Sequence, residues 1–273
     1  MVARFVQDIL RSFPYSERHD GRKNCRKAAR KDRTRNGWEF GNRICNSEAV
    51  HRRRRIRVYH GPPSDGTRSR GDNIRNSSEE CTRDASKLED LDALYAQIQQ
   101  EKGRLDVLFV NAGGGSFAPL GQITEEQFDE VFDTNVKGVL FTVQKALPLI
   151  PAGGAIVLNA SIVSVQGVPS FSVYSASKAA VRSFARGWTN DLKDRKIRVN
   201  VVSPGPVDTP GLSGLAQTEE HKQALYAQLA SDVPLGRLGQ PEEIAKAAVF
   251  LASEDASFIA GIELFVDGGA VQV

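Results

Sequence analysis

Residues 84–273 predict an α/β fold: a doubly wound, mostly parallel sheet. Three observations carry this. Short, largely apolar runs such as LDVLFV (105–110) are what strands buried on both faces require. These runs alternate with segments of helical periodicity. Small and polar residues gather just past the runs, and in such sheets ligands bind off the carboxyl ends of the strands.

The elements follow in order. SKLEDLDALYAQIQQEKG sets Leu88, Leu91, Leu94 and Ile98 at a helical period, with Ser86 as the expected N-cap and Gly103 just past the end. LDVLFV is the next strand. A helix then starts at Thr124, which with Gln127 forms a capping-box pattern, and is expected to run to about Ile150. The strand AIVLNAS, a helix over 174–193, the strand IRVNVVSPG, helical stretches at 218–230 and 241–252, and a last strand ELFVDGG complete the chain.

With 273 residues and 40% apolar content, the chain is long enough for one large domain with its own core. No stretch approaches the roughly 20 consecutive apolar residues of a spanning helix. MVARFVQDILRSF is too short and too interrupted by charge for a secretory signal. A cytoplasmic protein without a membrane partner is therefore expected. Cys25, Cys45 and Cys81 match no zinc spacing, so no metal site is expected.

Residues that can carry chemistry sit where the fold puts ligands. After LDVLFV come Asn111, Ala112, Gly113, Gly114 and Gly115, small enough to let a flat ligand approach the backbone. Ser161 follows AIVLNA, and Ser203-Pro204-Gly205-Pro206-Val207-Asp208-Thr209 follows IRVNVV. Tyr174 and Lys178, four apart on a helix, share a face. A lone Y-x-x-x-K is common by chance and is usually a solvated pair. Here it lies between a strand-end serine and a strand-end Pro-Gly.

A tyrosine hydroxyl titrates near 10, too high for proton transfer at neutral pH, and a neighbouring ammonium favours the phenolate. Tyr174 can then act as general acid or base. Ser161 can hold a carbonyl or alcohol oxygen by a hydrogen bond. Reversible oxidation of an alcohol also needs a hydride carrier, which no side chain supplies, so a nicotinamide cofactor is implied.

Asp84, NAGG, TNVKG (134–138), Ser161, YSASK, SPGPVDT, PLGRLGQPEEIA and FVDGG occur here in the order and spacing of a known family. Residues 84–273 resemble the short-chain dehydrogenase/reductases, whose fold is Rossmann-like. The resemblance implies an NAD(P)-dependent oxidoreductase acting on a secondary alcohol or ketone, with Ser161, Tyr174, Lys178 and Asn135 as the catalytic set. In it Asn135 links to Lys178 through a water, Lys178 also grips the nicotinamide ribose, and the loop from Pro204 to Thr209 meets the nicotinamide. The implied cofactor-binding residues are Asp84, Asn111, Ala112, Gly113, Tyr174, Lys178, Pro204, Gly205, Val207 and Thr209. Without that context Asn135 reads as a polar residue satisfied inside its helix. Ser164 is the rival to Ser161, and the thirteen-residue spacing to Tyr174 favours Ser161. The resemblance also implies a homotetramer, with residues 206–235 forming a lid over the substrate.

The first part of the chain is different. Residues 1–83 hold 21 Lys and Arg against 10 Asp and Glu, whereas residues 84–273 hold 15 against 23. The family should open with a strand, a glycine-rich turn whose amides bind pyrophosphate, a helix and a second strand. None is legible there. One reading makes the segment a basic arm, its HRRRR run binding nucleic acid beside a non-enzymatic Rossmann-like remnant. No aromatic platform or helix-turn-helix pattern accompanies that run, so nucleic acid is not the expected partner. Retention of all four catalytic-set residues also argues against a remnant.

The favoured reading is a translation displaced by one nucleotide. Trp38 followed by Glu39 then yields glycine whatever the codons, and the shifted text from position 36 can read TGGNSGIG. It can continue to position 68 as FATAKRFIAEGAYVYITGRRQTELD, with a preceding strand GKTALV at 30–35. That text supplies the missing loop, helix and strand in register with Asp84. Two arginines after its second strand could pair with a 2′-phosphate, so NADP is favoured over NAD.

Overall fold

The computed structural model describes residues 83–216 and 218–273. The basic run, the three cysteines and the positions of the shifted reading therefore lie outside the described residues.

Helix α1 (Leu88–Glu101) buries Leu91, Leu94, Tyr95 and Ile98, the i, i+3, i+4, i+7 stripe of an amphipathic helix. Its start differs from expectation. Lys87 is the N-cap and makes no side-chain cap. Ser86 instead donates its backbone N–H and its hydroxyl to Asp84 Oδ1 at 3.0 and 2.7 Å. A local carboxylate has outcompeted the helix for that serine. Gly103 ends the helix as expected, at φ 67°. The amides of Lys102 and Gly103 both reach the Ile98 carbonyl, at 2.9 and 3.1 Å.

Strands β1 (Val107–Val110), β2 (Ala155–Asn159), β3 (Arg198–Pro204) and β4 (Glu263–Val266) pair in that order, all parallel. Between β1 and β2 the chain forms α2 (Glu125–Phe132), a π-turn (Asp133–Lys137) and α3 (Gly138–Ala146). Thr124 and Gln127 make the capping box reciprocally. The expectation of one continuous α-helix to Ile150 is corrected at two places. The π-turn interrupts it, and a 3₁₀ turn (Leu147–Leu149) ends it where Pro148 has no N–H to continue the ladder.

After β2 a 3₁₀ turn (Ile162–Ser164) leads to α4 (Ser172–Asp191). After β3 come α5 (Pro210–Ser213), α6 (Glu219–Ser231) and α7 (Pro241–Ala252). Both faces of the sheet are covered. Ile156, Leu158, Val199 and Val201 point into a core with residues of α1, α3 and α4. Their neighbours Val157 and Val202 point the other way, against Ile244, Ala245 and Ala248 of α7. That two-sided burial is why the strands read as apolar runs rather than alternating ones. Arg198 ties α7 to the sheet, donating from its guanidinium to the carbonyls of Leu251, Ala252 and Ser253 at 2.6, 3.3 and 3.0 Å. A cation there satisfies the open C-terminal turn and its partial negative charge.

Candidate active site

A cavity of about 1030 Å³ runs from α1 along β1 to the carboxyl ends of β1, β2 and β3. Asn111, Ala112 and Gly113 after β1 and Ser161 after β2 form part of its wall. So do Tyr174 and Lys178 on α4, and Pro204, Gly205, Val207 and Thr209 after β3. Asp84 and Asn135 are not among the lining residues. Asp84 lies on the turn before α1 with its carboxylate engaged by Ser86.

Lys178 is 3% exposed. Its Nζ donates to the Asn159 carbonyl at 2.8 Å and stands 5.6 Å from the centroid of the Tyr174 ring. Burial disfavours the ammonium and pushes its pKa down to about 8. The Tyr174 ring stacks on Phe171 at 4.5 Å, and Phe171 on Phe117 at 4.2 Å. The loop after β1 presses on the other parts of the site. A Cβ at Gly115 would fall 2.5 Å from Tyr174 Cδ2, and one at Gly113 would fall 3.1 Å from Lys178 Nζ. Side chains at either position would displace the pair.

Asn135 sits in the π-turn and is fully buried. Its Oδ1 accepts from the Gly114 N–H at 3.0 Å, and its Nδ2 donates to the Gly114 carbonyl and to Ser177 Oγ at 2.8 and 2.9 Å. Ser177 Oγ in turn donates to the Tyr174 carbonyl at 2.7 Å. The amide of Asn135 thus pins the glycine loop to α4. Both amide hydrogens of its side chain are used in that contact.

Ser161 and Ser164 share one turn but differ in environment. Ser161 is the N-cap of the 3₁₀ turn, accepting from the Val163 N–H at 3.4 Å, and it lines the cavity. Ser164 is buried and donates to Glu263 Oε1 at 2.7 Å. Sequence reasoning did not single out Asn159 or Glu263. Asn159 donates from Nδ2 to Asn111 Oδ1 at 2.6 Å, and its own Oδ1 is a buried acceptor with no donor among the described residues. Its place as the polar end of the run AIVLN was a usable signal. Glu263 gave none, because a glutamate opening a strand reads as surface.

An α/β sheet with a Tyr-Lys pair and a serine at the rim of its strand ends defines an oxidoreductase of Rossmann-like fold. The chain belongs to the short-chain dehydrogenase/reductase family: a family model described as enoyl-(acyl carrier protein) reductase matches residues 67–271. It is 47% identical over 194 residues to oxidoreductase asL5 of Sarocladium schorii, covering 69% of this chain and 74% of that one. It is 38% identical over 177 residues to the 3-oxoacyl-(acyl-carrier-protein) reductase FabG of Thermotoga maritima, covering 64% and 70%. The fold is similar to that of a short chain dehydrogenase family protein from Francisella tularensis, with a TM-score of 0.65 at 28% identity over 70% of this chain and 80% of that one. Membership implies use of NAD(P). Among the described residues no helix is long and apolar enough to cross a membrane.

Proposed function

We propose that the protein transfers a hydride reversibly between a nicotinamide dinucleotide and a secondary alcohol or ketone. The observation that carries this reading is the buried Lys178 ammonium one helical turn from Tyr174, on the wall of a cavity that also receives Ser161. The residues present suit a nicotinamide. Asn159 Oδ1 is a buried acceptor with no donor among the described residues, and the glycines at 113 and 115 let the loop after β1 close on Lys178 and Tyr174 along the cavity wall.

Asn111, Ala112 and Gly113 on one side and Pro204, Gly205, Val207 and Thr209 on the other would hold the nicotinamide, and Lys178 its ribose. Asp84 is assigned to the same dinucleotide. When bound, the nicotinamide donates or accepts the hydride. The Tyr174 hydroxyl gives its proton to the carbonyl oxygen in reduction and takes it back in oxidation. The Lys178 ammonium favours the phenolate through its charge. Ser161 holds the reacting oxygen by a hydrogen bond. Asn135 keeps the glycine loop and α4 at fixed separation through Gly114 and Ser177.

NADP is preferred to NAD on the two arginines of the shifted reading, whose positions lie outside the described residues. A cytoplasmic homotetramer completes the proposal by family likeness. Protein purified from its native source should oxidise NADPH in the presence of a ketone, and NADH more slowly. Tyr174→Phe should lower kcat/KM by on the order of 10²- to 10⁴-fold while the thermal midpoint holds. Wild-type protein inert toward every ketone and secondary alcohol tried with both dinucleotides would sink the reading.

A further inference from the structure

Glu263 opens β4, and its side chain is 8% exposed. One oxygen, Oε1, accepts from Ser164 Oγ and Ser203 Oγ, both at 2.7 Å. The other, Oε2, faces Arg182 Nε at 3.6 Å. The three partners come from three different segments. Ser164 closes the 3₁₀ turn that Ser161 opens. Ser203 immediately precedes Pro204 and Gly205 at the end of β3. Arg182 lies on α4, four residues past Lys178 and eight past Tyr174, on the same stripe of the helix.

A buried carboxylate persists only when its oxygens are hydrogen-bonded or paired. Here all of that compensation comes from segments that carry the reaction site, and none from a neighbouring residue in sequence. Ser164 and Ser203 are themselves buried, so neither hydroxyl has bulk water as an alternative partner. Moving the Ser161 turn relative to α4 would break a bond to Glu263 on one side or the other.

We infer that Glu263 is a positioning residue: a single buried carboxylate that fixes the Ser161 turn, the Pro204–Gly205 loop and the Tyr174–Lys178 helix relative to one another. This rests on the proposed function for its catalytic consequence but not for its structural one. Glu263 acts through Ser164, Ser203 and Arg182.

The test uses the full native chain and four variants. Glu263→Gln keeps the volume and turns the ion pair into an amide facing a guanidinium. Ser164→Ala removes one hydroxyl and leaves the charges in place. Both should raise amide hydrogen exchange across residues 161–167 by about tenfold or more, with exchange in α1 unchanged. Both should lower kcat for ketone reduction by on the order of 10- to 100-fold, with the KM for dinucleotide within about twofold, because misplacing a positioned group costs turnover first. Arg182→Lys, which keeps the charge, should retain more activity than Arg182→Met. Wild-type exchange at 161–167 together with wild-type kcat in both Glu263→Gln and Ser164→Ala would overturn the inference. If wild-type protein shows no turnover, the oxidoreductase reading fails and the exchange measurement alone decides the clamp.

Discussion

Lys178 concentrates the chemistry of this protein in one side chain. Its pKa of about 8, against an ordinary 10.5, reflects the cost of burying an ammonium. Below about pH 8 both folded and unfolded chains carry the proton and the full cost applies. Between about 8 and 10.5 the unfolded chain keeps a proton that the folded one has released, so stability rises with pH through that window. Lys178→Met lacks the charge, so its advantage in unfolding free energy should shrink by up to about 3 kcal/mol across the window. Denaturant titrations at several pH values would reveal this, and a pH-independent difference would refute it. Tyr174 and Lys178 were legible in sequence because four residues make one helical turn. The partners of Asn159 and Glu263 were not, since they lie 48 and 99 residues away and only the folded sheet brings them together.

Elements were legible where their signals are local. The Thr124 and Gln127 box, the Gly103 terminus and the apolar strands needed only neighbours within one turn. At α7 the same kind of signal is reinforced from outside the helix. Glu243 accepts from the Gln240 N–H at 2.7 Å and from both terminal nitrogens of Arg237 at 2.7 and 2.8 Å. Arg237, then the N–H of Gln240, holds the Glu243 carboxyl down at about 2. Because the pair is well exposed, its worth is modest. Glu243→Gln should cost about 1 kcal/mol in a thermal melt at neutral pH. With a depressed carboxylate the contribution is complete above about pH 4.5 and fades as pH falls toward 2, so variant and wild type should converge in acid. Ser86 shows the limit of local reading, because two competing local partners were available and sequence alone did not rank them.

At the scale of the molecule, β1 is the informative strand. Among the described residues it pairs on one side only, with β2. In a doubly wound order the strands of the cofactor-binding half would lie along its other edge. The matched part of oxidoreductase asL5 is 74% of its length, and the family match begins at residue 67. We propose that residues 1–83 replace that half through an out-of-frame reading, leaving 84–273 as the catalytic portion. Peptide mass mapping of the native protein should return fragments of the shifted text; fragments containing VYHGPPSDGTR would reject the proposal. A chain made literally as written should bind NADPH weakly by calorimetry, and should aggregate because it lacks the strands that would pair with β1.

The π-turn reaches furthest across the molecule. Each residue advances an α-helix by about 100°, so a straight helix would set Val131 and Val139 some 80° out of phase, whereas absorbing one residue returns them to within about 20°. Val131, Asn135, Val139 and Val143 are all buried. Straightening 133–137 into regular α-helix with every residue kept would rotate the apolar stripe of α3 by roughly 100° off the sheet, whereas deleting one residue there would leave it in phase. The widened turn acts as a slipped gear tooth, taking up one residue so that two helical surfaces on one backbone stay meshed.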